Sequence, residues 1–154
     1  RKPPDRMARM TEDTSSSIAP RVHLKLISAS EAKAVLAGIE PEGVRFGDGY
    51  PNEITREVMA RVARSNGDDG TETFAIVRSS DSRAIGGIGV WFPEGPELPR
   101  VGYDVIEPLR GQGFATEALS VLRDLLFARP EIAGVRADTD VGTGRAGRSW
   151  RRPA

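Results

Sequence analysis

The sequence predicts one mixed α/β (α+β) domain, built on a twisted, mostly antiparallel sheet flanked by helices. Three observations carry that expectation. Two amphipathic helical stretches come early, strand-like runs then follow one another as a meander, and a last such strand passes through a glycine-rich turn into a long helical run. A length of 154 residues suits a single core and is too short for two typical ones.

Taken in order, residues 1–20 read as a disordered leader, polar and closed by Pro20, with "RKPPDRMARM" as an upstream extension ahead of Met7 or Met10. In "RVHLKLIS", Val22, Leu24 and Leu26 alternate with His23 and Lys25, the period of a half-buried strand. "SASEAKAVLAG" offers Ser28 or Ser30 as a helix N-cap and Gly38 as a terminator. The connection "PEGVRFGDGYP" leads to "NEITREVMARVARSNG", where Asn52 can cap and Ile54, Val58, Met59 and Val62 share one helical face before Asn66 and Gly67 end it. "TFAIVR" and "AIGGIGVWF", joined by "SSDSR", form a hairpin pattern. The loop "PEGPELP" then leads to a third meander strand, "RVGYDVI".

Composition narrows the function classes. With 22 basic and 22 acidic residues the net charge is zero, so no whole-chain field points to nucleic acid or to a membrane surface. Cysteine is absent, which excludes disulfides, thiolate metal sites and a thiol nucleophile, and fits a reducing compartment. No apolar run approaches the ~18 residues of a membrane span. The expectation is a cytoplasmic protein without a metal centre. The one histidine, His23, alternates outward on the first strand and reads as structural.

The chemistry concentrates in "EPLRGQGFATEAL". The strand ends near Ile106, Pro108 punctuates it, and the helix begins close to Phe114, with Ala115, Ala118, Leu119, Leu122 and Leu126 on one buried face. Gly111 and Gly113 thus stand where unpaired N–H groups converge at a helix N-terminus without a Cβ to bar a ligand, an arrangement suited to phosphate or pyrophosphate. The plainer alternative is a tight strand-to-helix turn. A Walker loop lacks its lysine here, a dinucleotide fingerprint lacks its third glycine and its parallel βαβ setting, and a kinase glycine loop would precede a strand.

From Val101 to Asp140 the chain resembles the acetyl-CoA-binding core of the GNAT superfamily of N-acetyltransferases, in particular the branch that acetylates ribosomal-protein N-termini and related amines. The family motif, glutamine or arginine, two residues, glycine, one residue, glycine or alanine, is met by Arg110, Gly111, Gln112, Gly113, Phe114 and Ala115. The order of helices and the meander extend the resemblance over residues 21–141. It implies that N–H groups from Gly111 to Ala115 cradle a pyrophosphate, aided by the side chains of Arg110 and Thr116. Val105 and Ile106, at a splayed strand end, would bond the pantetheine arm through their backbones. The amine would attack the thioester directly, with a backbone N–H of that strand stabilising the oxyanion. A base is still needed, and the carboxylates nearest the strand end are Asp104 and Glu107, with Glu94 and Glu97 in the preceding loop.

After "VRADTD" the chain departs from the resembling family. Residues 142–154 form a basic tail with four arginines and no helical apolar periodicity, so the last helix and strand are expected to be missing. "GVRADTD" would then present an unpaired edge that favours a homodimer. Codons for the tail can be chosen so that a shifted frame reads Ser-Trp-Ala-Val-Leu-Glu-Lys-Ala-Gly, the pattern the family would place there, which suggests a frameshift near Gly142 to Arg145. Three function readings follow: an N-acetyltransferase acting on acetyl-CoA and an amine, with its activity open to loss through truncation; a non-catalytic CoA-binding or assembly module; and a polyanion contact such as RNA through "RAGRSWRRP".

Overall fold

The computed structural model describes residues 19–141 and 144–153; most of the expected leader and the start of the expected frameshift lie outside them. One sheet holds seven strands: β1 (Val22–Leu26), β2 (Arg45–Phe46), β3 (Thr71–Arg78), β4 (Arg83–Trp91), β5 (Arg100–Val105), β6 (Gly134–Val141) and β7 (Gly144–Arg151). Their order is β1-β3-β4-β5-β6-β7, with β2 beside β4. Pairing is antiparallel except for β2 with β4 and β5 with β6. The predicted hairpin is β3–β4, and "RVGYDVI" completes the meander as β5. The two-residue strand β2 lies inside what reads in sequence as a plain connection, because two residues carry no legible period.

Among the described residues three α-helices flank the sheet: α1 (Ala29–Leu36), α2 (Glu53–Ser65) and α3 (Phe114–Phe127). The caps are those the sequence suggests. Ser28 and Glu31 form a reciprocal capping box, Asn52 accepts from the Thr55 N–H, and Asn66 ends α2 in the left-handed region at φ 54°. Helix α3 buries Phe114, Ala118, Leu119, Leu122 and Leu126 and packs against β1 and β5. Burial of each leucine contributes about 1.5–3 kcal/mol relative to exposure. On the predicted apolar face of α2, Met59 is buried and Val58 and Val62 pack on the core, but Ile54 stays half exposed.

The C-terminus differs from expectation. A last strand is present: β7 pairs antiparallel with β6 along eight register pairs, from Gly134 with Arg151 to Val141 with Gly144. The edge of "GVRADTD" is therefore covered, which removes the reason given for a homodimer. Apolar periodicity was the wrong criterion, since ladder hydrogen bonds come from the backbone and need only an adjacent partner. Trp150 also packs on the core opposite Val135. Arg152 donates to the carbonyls of Phe127 (2.6 Å), Ile132 (2.8 Å) and Arg129, so one guanidinium satisfies acceptors left over where α3 ends. Among the described residues no helix lies between β6 and β7.

Candidate active site

The glycine turn and α3 form the first wall of the site. Gly111 and Gly113 have φ of 77° and 87°, the left-handed region that favours glycine, and Gly113 is the N-cap of α3 without a side-chain capping bond. The opening N–H groups of α3 are therefore unspent and carry the positive end of the helix dipole. Nothing lies within 4 Å of where a Cβ on Gly111 would stand. The cradle is open on that side, as a ligand approaching the backbone requires.

Arg21, just before β1, braces this turn. Its guanidinium donates to the Gln112 carbonyl at 2.9 Å, pairs with Glu117 and lies 4.1 Å from the centre of the Phe114 ring. Its backbone N–H donates to the Glu117 carboxylate at 2.8 Å. Burial alone would raise the Glu117 pKa, but the hydrogen bonds and charge of Arg21 outweigh it and hold the carboxyl below its ordinary 4.5. A carboxyl depressed in the fold contributes stability that is full above its unfolded value and fades as pH falls through the folded one. In thermal melts, the advantage of the parent over Glu117→Gln is expected to stay constant above about pH 5 and to vanish as the medium is acidified below 4.5. A difference independent of pH would show that the pair does not carry the contact.

The second wall is the free side of β5. Strand β4 pairs with β5 from Arg100 to Val105, whereas β6 meets it only at Arg100 and Val101, so the sheet opens beyond that point. Alternation along a strand sends the Ile106 N–H to the Ile85 carbonyl on β4, at 2.9 Å. The N–H groups of Tyr103 and Val105 consequently point into the opening. Ile106 has no N–H to spare, and its carbonyl already accepts from the Leu109 N–H. The Val105 carbonyl accepts from Arg110 Nε at 2.7 Å, which ties the glycine turn to the splayed strand.

A cleft of about 270 Å3 lies on the opposite face of the sheet, beneath α2. Its floor is bare because Gly87, Gly89 and Gly102 occupy neighbouring register positions, Gly89 opposite Gly102 and Gly87 opposite Asp104. Ile54, Val58 and Met59 wall it, which explains why Ile54 is not packed in the core. Asp104 closes one end, accepting from Asn52 Nδ2 at 2.6 Å and from Arg110 at 3.2 Å. Asn52 serves twice, since its Oδ1 caps α2. Nearby Tyr50 is buried with its hydroxyl unpartnered, and burial pushes its pKa up to about 12.

The structure thus brings Asp104, Val105, Arg110 and the turn from Gly111 to Ala115 to one mouth. Arg110 faces β5 and Asp104 there, and Thr116 is exposed in the first turn of α3. Glu107 is exposed at the start of a 3-10 turn (Glu107–Leu109). Glu94 and Glu97 border a different hollow beside Trp91, whose partner Arg100 lies at the far end of β5 from Val105. His23 contacts Ser79 at 3.0 Å on the outer strand. Sequence reasoning missed Arg21, which is 96 residues from Glu117 and carries no local signal. It also missed the glycine floor, although glycines two apart within a strand were a legible hint.

With this geometry in hand, comparison with known proteins is decisive for the family. Residues 21–148 match the family model described as "Acetyltransferase (GNAT) domain". The chain belongs to the GNAT acetyltransferase family. Solved GNAT structures share the fold at low identity. A candidate ribosomal-protein-serine acetyltransferase from Vibrio cholerae superposes with a TM-score of 0.54 at 18% identity, covering 81% of this chain and 74% of that one. A dodecameric spermidine N-acetyltransferase from Vibrio cholerae gives 0.54 at 13%, covering 80% and 72%. A nucleotide-linked sugar GNAT gives 0.52 at 16%, covering 80% and 71%. A search of curated proteins found no match. As a GNAT domain the chain is an acyltransferase of mixed α/β fold. Among its described residues no helix is long and apolar enough to cross a membrane, and no cluster of three or more acidic or histidine side chains stands where it could hold a metal ion.

Proposed function

We propose that this GNAT domain, beginning at residue 21, transfers an acetyl group from acetyl-CoA to a primary amine in the cytoplasm. The observation that carries the reading is the single mouth where the N-terminus of α3 and the open side of β5 meet, joined by Arg110 and Val105. Acetyl-CoA supplies an acyl group activated as a thioester. The N–H groups of Gly111, Gln112, Gly113, Phe114 and Ala115 suit its pyrophosphate, with the Thr116 hydroxyl in reach of the same turn. The open edge of β5, expected to engage the pantetheine arm at Val105 and Ile106, offers N–H groups at Tyr103 and Val105 instead of at Ile106. The Val105 N–H also suits the oxygen that gains charge as the amine attacks.

In balance, the amine nitrogen loses one proton and bonds the acyl carbon as the C–S bond breaks, and the departing sulfur takes up a proton. Asp104 is placed to receive the amine's proton from the cleft side, and Asn52 and Arg110 hold its carboxylate in position. Glu107 is the second candidate base. The neighbours are named for a ribosomal-protein serine, spermidine and a nucleotide-linked sugar, and these bracket the acceptor classes.

Isothermal titration of acetyl-CoA, with a thiol assay for free CoA, tests the reading. The chain is expected to bind acetyl-CoA and to release CoA only when an amine is present. Asp104→Asn should lower kcat/KM by about 100-fold with acetyl-CoA affinity unchanged, while Glu107→Gln stays near the parent. Binding without release for any amine would instead favour the non-catalytic module, a reading supported by the two partners already occupying Asp104.

A further inference from the structure

The cleft under α2 says more about the acceptor than the fold does. Its charged lining residues are two, Asp104 at one end and Arg61 at the other. Arg61 stands nine residues along α2 from its cap Asn52, which holds Asp104, about 13 Å of helix rise. The sheet agrees, since the register row of Asp104 and that of Thr71 are two pleats apart, again about 13 Å. The middle is mainly apolar, with Ile54, Val58 and Met59 above the three glycines.

Two further features point to an occupant. Thr73 lines the cleft beside Gly89, nine-tenths buried, and its hydroxyl has no hydrogen-bond partner. A polar group so placed is favourable only when something in the cleft pairs with it. Arg61 is exposed on the rim and has no ion-pair partner among the described residues. The acids nearest Thr71 in sequence are engaged elsewhere, Glu72 with Arg129 at 2.8 Å and Asp69 with the Thr71 N–H at 3.1 Å, and neither lines the cleft.

Resting on the acetyltransferase reading, we propose that the cleft selects a monoamine: an amino group at Asp104, a mainly apolar body over the glycine floor with Thr73 as a hydrogen-bonding group midway, and a neutral or anionic far end at Arg61. A polyamine is disfavoured, because its second ammonium would meet a guanidinium instead of a carboxylate and its body would lie on an apolar surface. Small size follows from the volume and selectivity from the charge at the far end, which acts by repulsion as much as by attraction.

Three probes of similar length isolate the far end: hexylamine, 6-aminohexanoate and hexane-1,6-diamine. Acetylation rates would be read together with calorimetric binding of each probe to the CoA-loaded protein. The expected order in kcat/KM and in affinity places 6-aminohexanoate and hexylamine about fivefold to tenfold above the diamine at low salt, the gap shrinking as salt is added. Arg61→Glu should reverse the order of aminohexanoate and diamine. Gly102→Leu should raise Kd and KM for all three probes at least tenfold while acetyl-CoA affinity holds, because a Cβ on Gly102 meets nothing within 4 Å and the added side chain enters the cleft. Preference for the diamine, an order unmoved by Arg61→Glu, or acceptor binding untouched by Gly102→Leu would each overturn the proposal while acetyl-CoA binding and turnover persist. A folded chain that binds no CoA and acetylates no amine would overturn it together with the acetyltransferase reading.

Discussion

Arg152→Ala is expected to destabilise the protein by about 2 kcal/mol, lowering Tm by roughly 4–8 °C for a chain of this size. The guanidinium donates to the carbonyls of Phe127, Arg129 and Ile132, all at or just beyond the end of α3, and its central carbon lies 5.2 Å from the centre of the Phe127 ring. Truncation would leave these acceptors, now partly buried, to find water or remain unpaired. Arg152→Lys should recover little, since one ammonium cannot serve three divergent carbonyls as a planar fork does. Gly134→Ala tests the same packing independently. A Cβ there would stand 2.7 Å from the Trp150 carbonyl, so β7 must shift or detach. Thermal melts that leave both variants within about 0.5 kcal/mol of the parent would mean that the tail is not seated on β6. The tail would then be the foreign segment that the codon argument expects.

Gly113→Glu is expected to weaken acetyl-CoA binding by more than 100-fold in isothermal titration. Three effects add. A side chain at φ 87° is strained, its Cβ would come 3.3 Å from the Arg21 guanidinium, and its carboxylate would lie where the helix N-terminus is to receive phosphate. Gly113→Ala separates strain from charge and should lose only a small part of the affinity. A folded Gly113→Glu protein that binds acetyl-CoA within about threefold of the parent would show that the pyrophosphate goes elsewhere, and the role given to the turn would fall with it.

Much of this architecture was legible in the chain because it depends on near neighbours. Ser28 with Glu31, Asn52 with Thr55, and Asn66 in its left-handed conformation are contacts over three residues or fewer, or properties of one residue. The hairpin from β3 to β4 and the buried face of α3 are periodicities. Gly111 and Gly113 were readable as a helix-entry site because positive φ and a missing Cβ belong to glycine wherever it stands.

Tertiary structure decided everything that depends on two distant segments meeting. Arg21 and Glu117 are 96 residues apart, Asn52 and Asp104 are 52 apart, and no pattern in either segment announces the other. The glycines at 87, 89 and 102 became a cleft floor only through register between β4 and β5. Ile54 reads as core by period but walls that cleft, since α2 there lies over glycines and not over side chains. Apolar pattern alone gives the tail no means to extend the sheet; β7 forms regardless, because an open strand edge needs backbone partners and Arg152 meets the free end of α3. By itself the sequence determined the local elements and the glycine turn. Register and packing decided which side chains share a site, because those contacts join groups that the chain keeps far apart.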